Sequence, residues 1–170
     1  MKEIEVKILE VDTKKLQKKL KDFGAKKVFE GEIEGVFFDF EDERLRQADK
    51  RLRLRKVGED VEFTLKRKIS RDKARIDEEY QVLVSDFDIL QKILLKIGLK
   101  KTRQYRKKRT SFTIGNVRFE FDTFENLPTL LEIEAQSVEE VQNWVEKLGF
   151  RLEDAKPWSG RDVMRHYGKI

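Results

Sequence analysis

Several short segments of this chain alternate strictly between charged and aliphatic residues, and this alternation constrains the fold more than any other feature. Residues 3–7 read Glu-Ile-Glu-Val-Lys, and residues 51–56 read Arg-Leu-Arg-Leu-Arg-Lys. Similar alternation recurs in residues 61–68, 75–84 and 129–136. Successive side chains of a β-strand point to opposite faces, so each segment predicts a strand with one polar and one apolar face.

The order of the predicted elements indicates how these strands are arranged. Further strands are predicted at 26–32, 36–40, 101–114 and 117–124, and helices after Asp12, after Asp86 or Asp88, from Val138 to Leu148 and near the C-terminus. Helices do not alternate regularly with strands, as a parallel doubly wound sheet would require. We therefore expect an α+β fold in a single domain, residues 1–170, with a largely antiparallel sheet, curled or closed, and helices outside it. Apolar strand residues such as Leu54, Leu65 and Ile133 would pack against these helices.

The composition excludes several classes of site. The chain of 170 residues has no Cys, which excludes disulfides, thiolate catalysis and Cys-based zinc sites. Its single His, His166, disfavours a Ser-His-Asp triad or a His-rich metal site. Any metal would be held by carboxylates, which favours hard cations such as Mg²⁺ or Mn²⁺. No apolar run approaches 18 residues and the N-terminus is charged. We therefore expect a cytoplasmic protein without a membrane partner.

The charged faces of the predicted strands separate into an acidic and a basic set. The acidic set comprises Glu3, Glu5, Asp122, Glu132 and Glu134. The basic set comprises Lys7, Arg51, Arg53, Arg55, Lys66, Lys68, Lys107 and Arg109. A single charged face is most simply solvated. Like charges two residues apart on a strand lie about 6.5 Å from each other and repel by roughly 2.5 kcal/mol at an effective dielectric near 20. The joint pattern therefore favours a concave site in which carboxylates bind a divalent cation and Arg and Lys bind phosphate oxygens.

The same residues resemble the motifs of a known family. Glu3-Ile-Glu-Val-Lys7 resembles the Glu-x-Glu-x-Lys signature of the CYTH superfamily, the triphosphate tunnel metalloenzymes. This superfamily includes class IV adenylyl cyclases, thiamine triphosphatases and inorganic triphosphatases. The further matching motifs, in chain order, are Leu52-Arg-Leu-Arg55, Thr64-Leu-Lys66, Glu78-Glu79, Lys107-Lys-Arg109, and Asp122 followed by Glu132-Ile-Glu134.

The resemblance implies a fold and a division of roles. The implied fold is an antiparallel β-barrel of about eight strands that forms a closed tunnel, with helices packed outside. The acidic set would bind Mg²⁺ or Mn²⁺, and the basic set would hold a triphosphate, with Arg51 and Lys68 assigned only because they share the charged face. Glu79 would face inward and orient basic side chains. The C-terminal segment departs from the family pattern, because Trp158-Ser159-Gly160 lacks the Tyr that often follows the Ser, and Lys156 would supply a basic group near the tunnel mouth.

Three functions stay open at the level of the sequence. The first is metal-dependent hydrolysis of ATP or another organic or inorganic triphosphate, with Glu5 or Glu134 helping water to attack. The second is a class IV adenylyl cyclase that makes cyclic AMP and pyrophosphate, and the third is a non-catalytic polyphosphate or nucleotide binder. Nucleic acid is disfavoured as a partner, because five carboxylates on neighbouring strands would repel it. A homodimer is left open.

Overall fold

Eight antiparallel strands form a closed barrel in the computed structural model, which describes residues 1–170. The strands are β1 (Lys2–Ile8), β2 (Lys26–Asp39), β3 (Lys50–Val57), β4 (Asp60–Arg71), β5 (Arg75–Leu83), β6 (Lys100–Ile114), β7 (Val117–Phe124) and β8 (Leu130–Ala135). Around the barrel they follow the order β1-β5-β4-β3-β2-β6-β7-β8, and β8 pairs with β1 to close it. The expected α+β fold with a closed barrel is therefore confirmed.

Five helices lie outside the barrel. They are α1 (Thr13–Asp22), α2 (Arg44–Gln47), α3 (Phe87–Lys96), α4 (Val138–Lys147) and α5 (Gly160–His166). The side chains of Asp12, Asp86 and Ser137 accept hydrogen bonds from the backbone N–H groups at the starts of α1, α3 and α4, as N-cap residues do. No helix combines the length and the apolar composition needed to cross a lipid bilayer.

Two apolar cores hold the helices against the outside of the barrel wall. The larger core joins β1, β7 and β8 to α1 and α4, and it includes Val6, Phe119 and Ile133. The smaller core joins β2 and β3 to α3 through residues such as Leu54 and Leu94. Because the apolar faces of these strands point outward to the helices, the alternation places their charged residues inside the barrel, in the space that we call the tunnel.

Two expectations about the strands were wrong. Residues 26–32 and 36–40 belong to one long strand, β2, because it is paired along almost its whole length with β6. Leu65 was expected to pack against a helix, but it joins neither apolar core and lies beside the exposed Tyr80 and Val82 in a surface depression. The outer face of β4 and β5 is thus more open to solvent than the rest of the wall.

Candidate active site

The tunnel brings together nearly all the residues that the sequence assigned to the site. Eight of them are buried, namely Glu3, Glu5, Lys7, Lys66, Lys107, Arg109, Asp122 and Glu132. Arg53, Arg55 and Glu134 are half-buried. The pairing of the strands explains this convergence: Glu5 lies opposite Glu134, and Lys7 lies opposite Glu132, across β1 and β8. Directly opposed residues share one face of a sheet, so these four side chains meet inside the barrel.

One cluster of ion pairs joins β1, β8 and β5. The ammonium group of Lys7 lies 2.5 Å from Oε1 of Glu5 and 2.6 Å from Oε2 of Glu132. Arg75 forms a second ion pair with Glu5. Burial alone would lower the pKa of Lys7, but Glu132 and Glu5 outweigh it, so the pKa lies above its ordinary value. Lys7 is therefore a permanently charged group between two carboxylates.

A second cluster joins β6 and β7. The carboxylate of Asp122 lies 2.6 Å from Nζ of Lys107 and 2.6 Å from Nη2 of Arg109. Arg109 also pairs with Glu120 and approaches Glu132 to 3.8 Å, which links the two clusters. Burial would raise the pKa of Asp122, but the two cations hold it below its usual value.

A third contact involves Lys66, on β4. Its ammonium group lies 2.5 Å from each of the two carboxylate oxygens of Glu3 and 3.5 Å from Glu79. Glu79 therefore faces inward and contacts a basic side chain, as expected. Burial would raise the pKa of Glu3, but Lys66 and Arg75 together bring it below the ordinary value.

Arg53 differs from the other tunnel cations because its charge is not matched by an acid. Its Nε and Nη2 atoms are buried and have no hydrogen-bond partner. Its neighbour Arg55, by contrast, pairs with Glu62. Burial and the charge of Arg55 lower the pKa of Arg53. Two buried guanidinium donors without an acceptor are costly, and an anion beside Arg53 would remove that cost.

Arg51 and Lys68 lie at one opening of the tunnel. Arg51 pairs with Asp77 at 2.5 Å. The side chain of Lys68 is 41% exposed and lies 3.2 Å from Asp49. Lys68 therefore lies at the edge of this opening, near the end of β4, and not inside the tunnel, where the alternation of β4 would place it. Both residues line a cleft of about 660 Å³ beside α5, together with Trp158.

Lys156 does not point a charge into this opening. Its backbone pairs with that of Lys7, which fixes the C-terminal segment to β1. Its ammonium group donates to the carbonyl oxygen of Glu153 at 2.7 Å. The expectation that Lys156 supplies a basic group at the tunnel mouth therefore finds no support in its contacts.

Three tunnel residues are absent from the predicted site. Arg75, Asp77 and Glu120 are all buried inside the barrel. Asp77 accepts hydrogen bonds from Arg51 and Arg71 and also pairs with Arg75, so it gathers three guanidinium groups. The alternation of the strands could have identified all three as inward-facing. Arg75 and Asp77 share a strand face with Glu79, and Glu120 lies two positions before Asp122 on β7.

The four glutamates on β1 and β8 are not equivalent. Burial would raise the pKa of Glu132, but Lys7 and Arg109 hold it well below the usual range. Burial, Glu3 and Glu120 raise the pKa of Glu134 to about 8. The basic residue opposite Glu134 is Arg118, which lies 3.6 Å from Glu120. Glu134 forms no ion pair, and the charge of Arg118 offsets only part of the increase in its pKa.

The donor set fits a hard divalent cation, although no three of these carboxylates converge closely enough here to form a complete ligand set. Burial and neighbouring carboxylates raise the pKa values of Glu5 and Glu134 by more than the nearby cations lower them. A cation among these oxygens would relieve that repulsion. An all-carboxylate set suits Mg²⁺ or Mn²⁺. Glu3, Glu5, Asp122, Glu132 and Glu134 are the residues that would hold it.

Comparisons with known proteins agree with this geometry. A protein of Methanocaldococcus jannaschii, MJ0240, provisionally named an adenylate cyclase, is 30% identical over 136 residues, which are 79% of this chain and 77% of that protein. The solved structure of PH1012 from Pyrococcus horikoshii superposes with a TM-score of 0.80 at 25% identity, covering 95% of this chain and 98% of the other. A Hippeastrum structure, HpAC1, has a TM-score of 0.71 at 16% identity and covers 99% and 97% of the two chains. HpAC1 is described as a provisionally assigned adenylyl cyclase with a dominant triphosphatase activity. The CYTH domain model matches residues 1–162, so the chain belongs to the CYTH domain family.

Proposed function

We propose that this protein is a metal-dependent enzyme that hydrolyses a triphosphate inside the charged tunnel. The observation that carries the proposal is Arg53, whose buried guanidinium group has two donors without acceptors. Arg55, Lys107 and Arg109 lie on the same inner surface. A single phosphate needs fewer cations than this, whereas a triphosphate spans several phosphate groups and matches the whole set.

The ion pairs of the tunnel suggest how a triphosphate would be held. Lys107 and Arg109 are bound to Asp122, and Lys66 is bound to Glu3. Phosphate oxygens are alternative acceptors for these donors, so an entering triphosphate would draw the cations away from the carboxylates. The released carboxylates would then be free to bind Mg²⁺ or Mn²⁺, which neutralises phosphate charge and makes water more acidic.

Glu134 is the best candidate for accepting a proton from the attacking water. In the metal-free tunnel its pKa is about 8, so it binds a proton more tightly than Glu3, Asp122 and Glu132, whose pKa values are lowered. A base with a pKa near the working pH combines a useful basicity with a useful ionised fraction. Phosphoryl transfer to water requires positioning and charge neutralisation more than a covalent nucleophile. The absence of Cys from the sequence is consistent with that chemistry.

A class IV adenylyl cyclase is the second candidate function. It is favoured by the relative MJ0240, which carries a provisional adenylate cyclase name. The same cations would hold ATP, but the ribose 3′-hydroxyl would attack the α-phosphate and pyrophosphate would leave. The description of HpAC1 indicates that triphosphatase activity and a cyclase assignment can meet in one protein of this fold.

Product analysis separates these functions. Purified protein is incubated with ATP, inorganic triphosphate and thiamine triphosphate, with Mg²⁺, with Mn²⁺ and with EDTA. Metal-dependent release of orthophosphate is the expected result. Formation of cyclic AMP and pyrophosphate would identify a cyclase instead of a hydrolase. Binding of a triphosphate without any product would identify a non-catalytic binder. If the protein neither binds nor converts any of the three compounds, the proposal of a triphosphate site is rejected.

A further inference from the structure

A dense group of lysines lies on the outside of the barrel, along α1 and the start of β2. The members of this lysine patch are Lys14, Lys15, Lys18, Lys19, Lys21, Lys26 and Lys27. Residues 13–28 contain these seven lysines and one acid, Asp22, and therefore have a formal charge of +6. The whole chain carries +5, so the rest of the chain carries −1. The net positive charge of the protein thus comes entirely from this segment.

The lysines of α1 face the solvent because the apolar residues of this helix face the barrel. Leu16 and Leu20 are buried in the larger core. Residues three and four positions apart lie on the same side of a helix. Lys14, Lys18 and Lys21 therefore form one row on the side of α1 away from the leucines, and all three are exposed.

The protein itself neutralises little of this charge. Lys27 forms an ion pair with Glu30 at 2.6 Å, and the other six lysines of the patch form none. The tunnel carboxylates, such as Glu5 and Asp122, are buried inside the barrel and do not face the patch. The lysine patch is therefore a cationic surface with almost no partner within the chain.

The arrangement of the lysines also weakens α1. Lys14 and Lys18 are four positions apart, as are Lys15 and Lys19, and like charges at this spacing repel each other. The first turn of α1 contains no acidic residue. Cations near the N-terminus of a helix are opposed by the helix dipole. These charges therefore do not stabilise the helix, and an anion bound from outside would relieve their repulsion.

The surroundings of the patch favour a partner that is bound by charge. The apolar side of α1 is buried in the core, whereas a helix that binds at a membrane surface needs that side free. The exposed apolar side chains nearby are Phe23 and Val28, and the ring of Phe23 contacts Trp144, with the ring centroids 6.0 Å apart. The ammonium group of Lys147 lies 4.7 Å from the centroid of Trp144 and adds a further cation beside the patch.

We propose that the lysine patch binds the phosphate backbone of a duplex nucleic acid without reading its sequence. The row from Lys14 to Lys21 spans about 10 Å along α1. A duplex carries one negative charge per about 1.7 Å of its axis, so several phosphates would lie within reach of the row. A lysine ammonium is a compact charge, and phosphate contacts position a protein on a duplex without carrying sequence information. Because the barrel wall encloses the tunnel carboxylates, they do not oppose this contact.

Fluorescence anisotropy of a labelled duplex tests this proposal. A fluorescein-labelled DNA duplex of about 20 base pairs is titrated with the wild-type protein in EDTA at several NaCl concentrations. The dissociation constant should be about 1–100 µM at about 0.15 M NaCl. The logarithm of the binding constant should fall with the logarithm of the salt concentration with a slope of about −3 to −6. A second duplex of unrelated sequence should bind with the same affinity to within about 3-fold.

Two double variants that change the net charge equally locate the binding surface. Lys14→Glu/Lys18→Glu should weaken duplex binding at least about 10-fold and make the salt slope shallower by about 2. Lys92→Glu/Lys96→Glu makes the same change at two exposed lysines with the same spacing on α3, and it should weaken binding by less than about 3-fold. Circular dichroism shows whether each variant is folded. Should Lys14→Glu/Lys18→Glu not fold, Lys14→Gln/Lys18→Gln repeats the test, with an expected weakening of at least about 5-fold.

Several results would overturn the proposal. Equal weakening by the α1 and α3 variants would show that net charge, and not the lysine patch, governs binding. An absence of duplex binding at about 0.05 M NaCl would reject a nucleic-acid partner. A preference of more than about 10-fold between the two duplexes would contradict binding through the backbone alone. Vesicles that contain phosphatidylserine serve as the competing partner, and binding to these vesicles without binding to the duplex would assign the patch to an anionic membrane surface instead.

Discussion

At the scale of one residue, Arg53 lowers the stability of the fold, and its role in the proposed site would explain why it is present. Its buried Nε and Nη2 atoms have no acceptor, so the folded protein carries the cost of a desolvated charge. We predict that Arg53→Met leaves the free energy of unfolding unchanged or raises it by about 1–2 kcal/mol, while kcat/KM for the triphosphate falls at least about 100-fold. Urea denaturation and steady-state kinetics measure the two effects.

The matched control for Arg53 is Arg67. Arg67 lies on the neighbouring strand β4 and faces outward. Its side chain is 54% exposed and forms an ion pair with Glu78. Arg67→Met should change stability by less than about 0.5 kcal/mol and leave turnover intact. A variant of Arg53 that loses stability but keeps full activity would show that the guanidinium group is structural.

Glu134 gives the protein a pH-dependent stability in the absence of metal. The folded protein keeps its proton up to about pH 8, whereas the unfolded chain releases it near pH 4.5. The folded state therefore binds more protons between these values, and the free energy of unfolding falls as pH rises through that window. In EDTA, Glu134→Gln should be roughly 2–4 kcal/mol more stable than the wild type near pH 9 and about equal to it near pH 4.5. The same difference at both pH values would contradict this assignment.

At the scale of elements, β1 and β8 are joined by charge as well as by backbone hydrogen bonds. Lys7 and Glu132 are opposed, buried, and 2.6 Å apart. Glu132→Gln weakens the partner of a buried ammonium group, so we predict a loss of about 1–3 kcal/mol of stability together with loss of turnover. The double variant Lys7→Met/Glu132→Leu should lose less stability than Lys7→Met and Glu132→Leu lose in sum. Strictly additive losses in urea unfolding would show that the two side chains do not interact.

The elements also show what alternation can and cannot predict. A period of two decides which face a side chain occupies, so Glu3, Arg53 and Glu132 could be assigned to one surface from the sequence. The sequence predicts two strands, 26–32 and 36–40, yet β2 continues through Gly35, where a Cβ atom would overlap the ring of Tyr105. Which acid meets which base depends on the register around the closed barrel. The contact of Arg75 with Glu5 therefore could not be read from spacing.

At the scale of the whole molecule, the tunnel is nearly neutralised by internal ion pairs. Four of the five carboxylates that would hold a metal form ion pairs with Lys or Arg, so the binding of metal and the binding of triphosphate should be coupled. We predict that Mg²⁺ binds weakly alone and at least about 10-fold more tightly with an unreactive triphosphate analogue present. Isothermal titration calorimetry measures both affinities, and Mg²⁺ must tighten the binding of the analogue by the same factor. An Mg²⁺ affinity that is the same with and without the analogue would contradict the coupling.

The whole molecule also explains why the family could be recognised from sequence but the substrate could not. The motifs that line the tunnel are those that we propose to bind metal and phosphate, and every triphosphate substrate would present these same groups. Three aromatic residues that no motif singled out, Phe37 on β2, Tyr105 on β6 and Phe124 on β7, stand far apart in the sequence. The pairing of β2 with β6 and of β6 with β7 brings their rings into contact.

The position of bond cleavage is the most direct test of hydrolysis in the tunnel. ATP and Mg²⁺ are incubated with the wild-type protein and with Arg53→Met in ¹⁸O-labelled water, and ³¹P NMR follows the products. The wild-type protein should release orthophosphate that carries one ¹⁸O atom, and Arg53→Met should do so at least about 100-fold more slowly. Cyclic AMP and unlabelled pyrophosphate as the only products, or equal rates for the two proteins, would contradict the account.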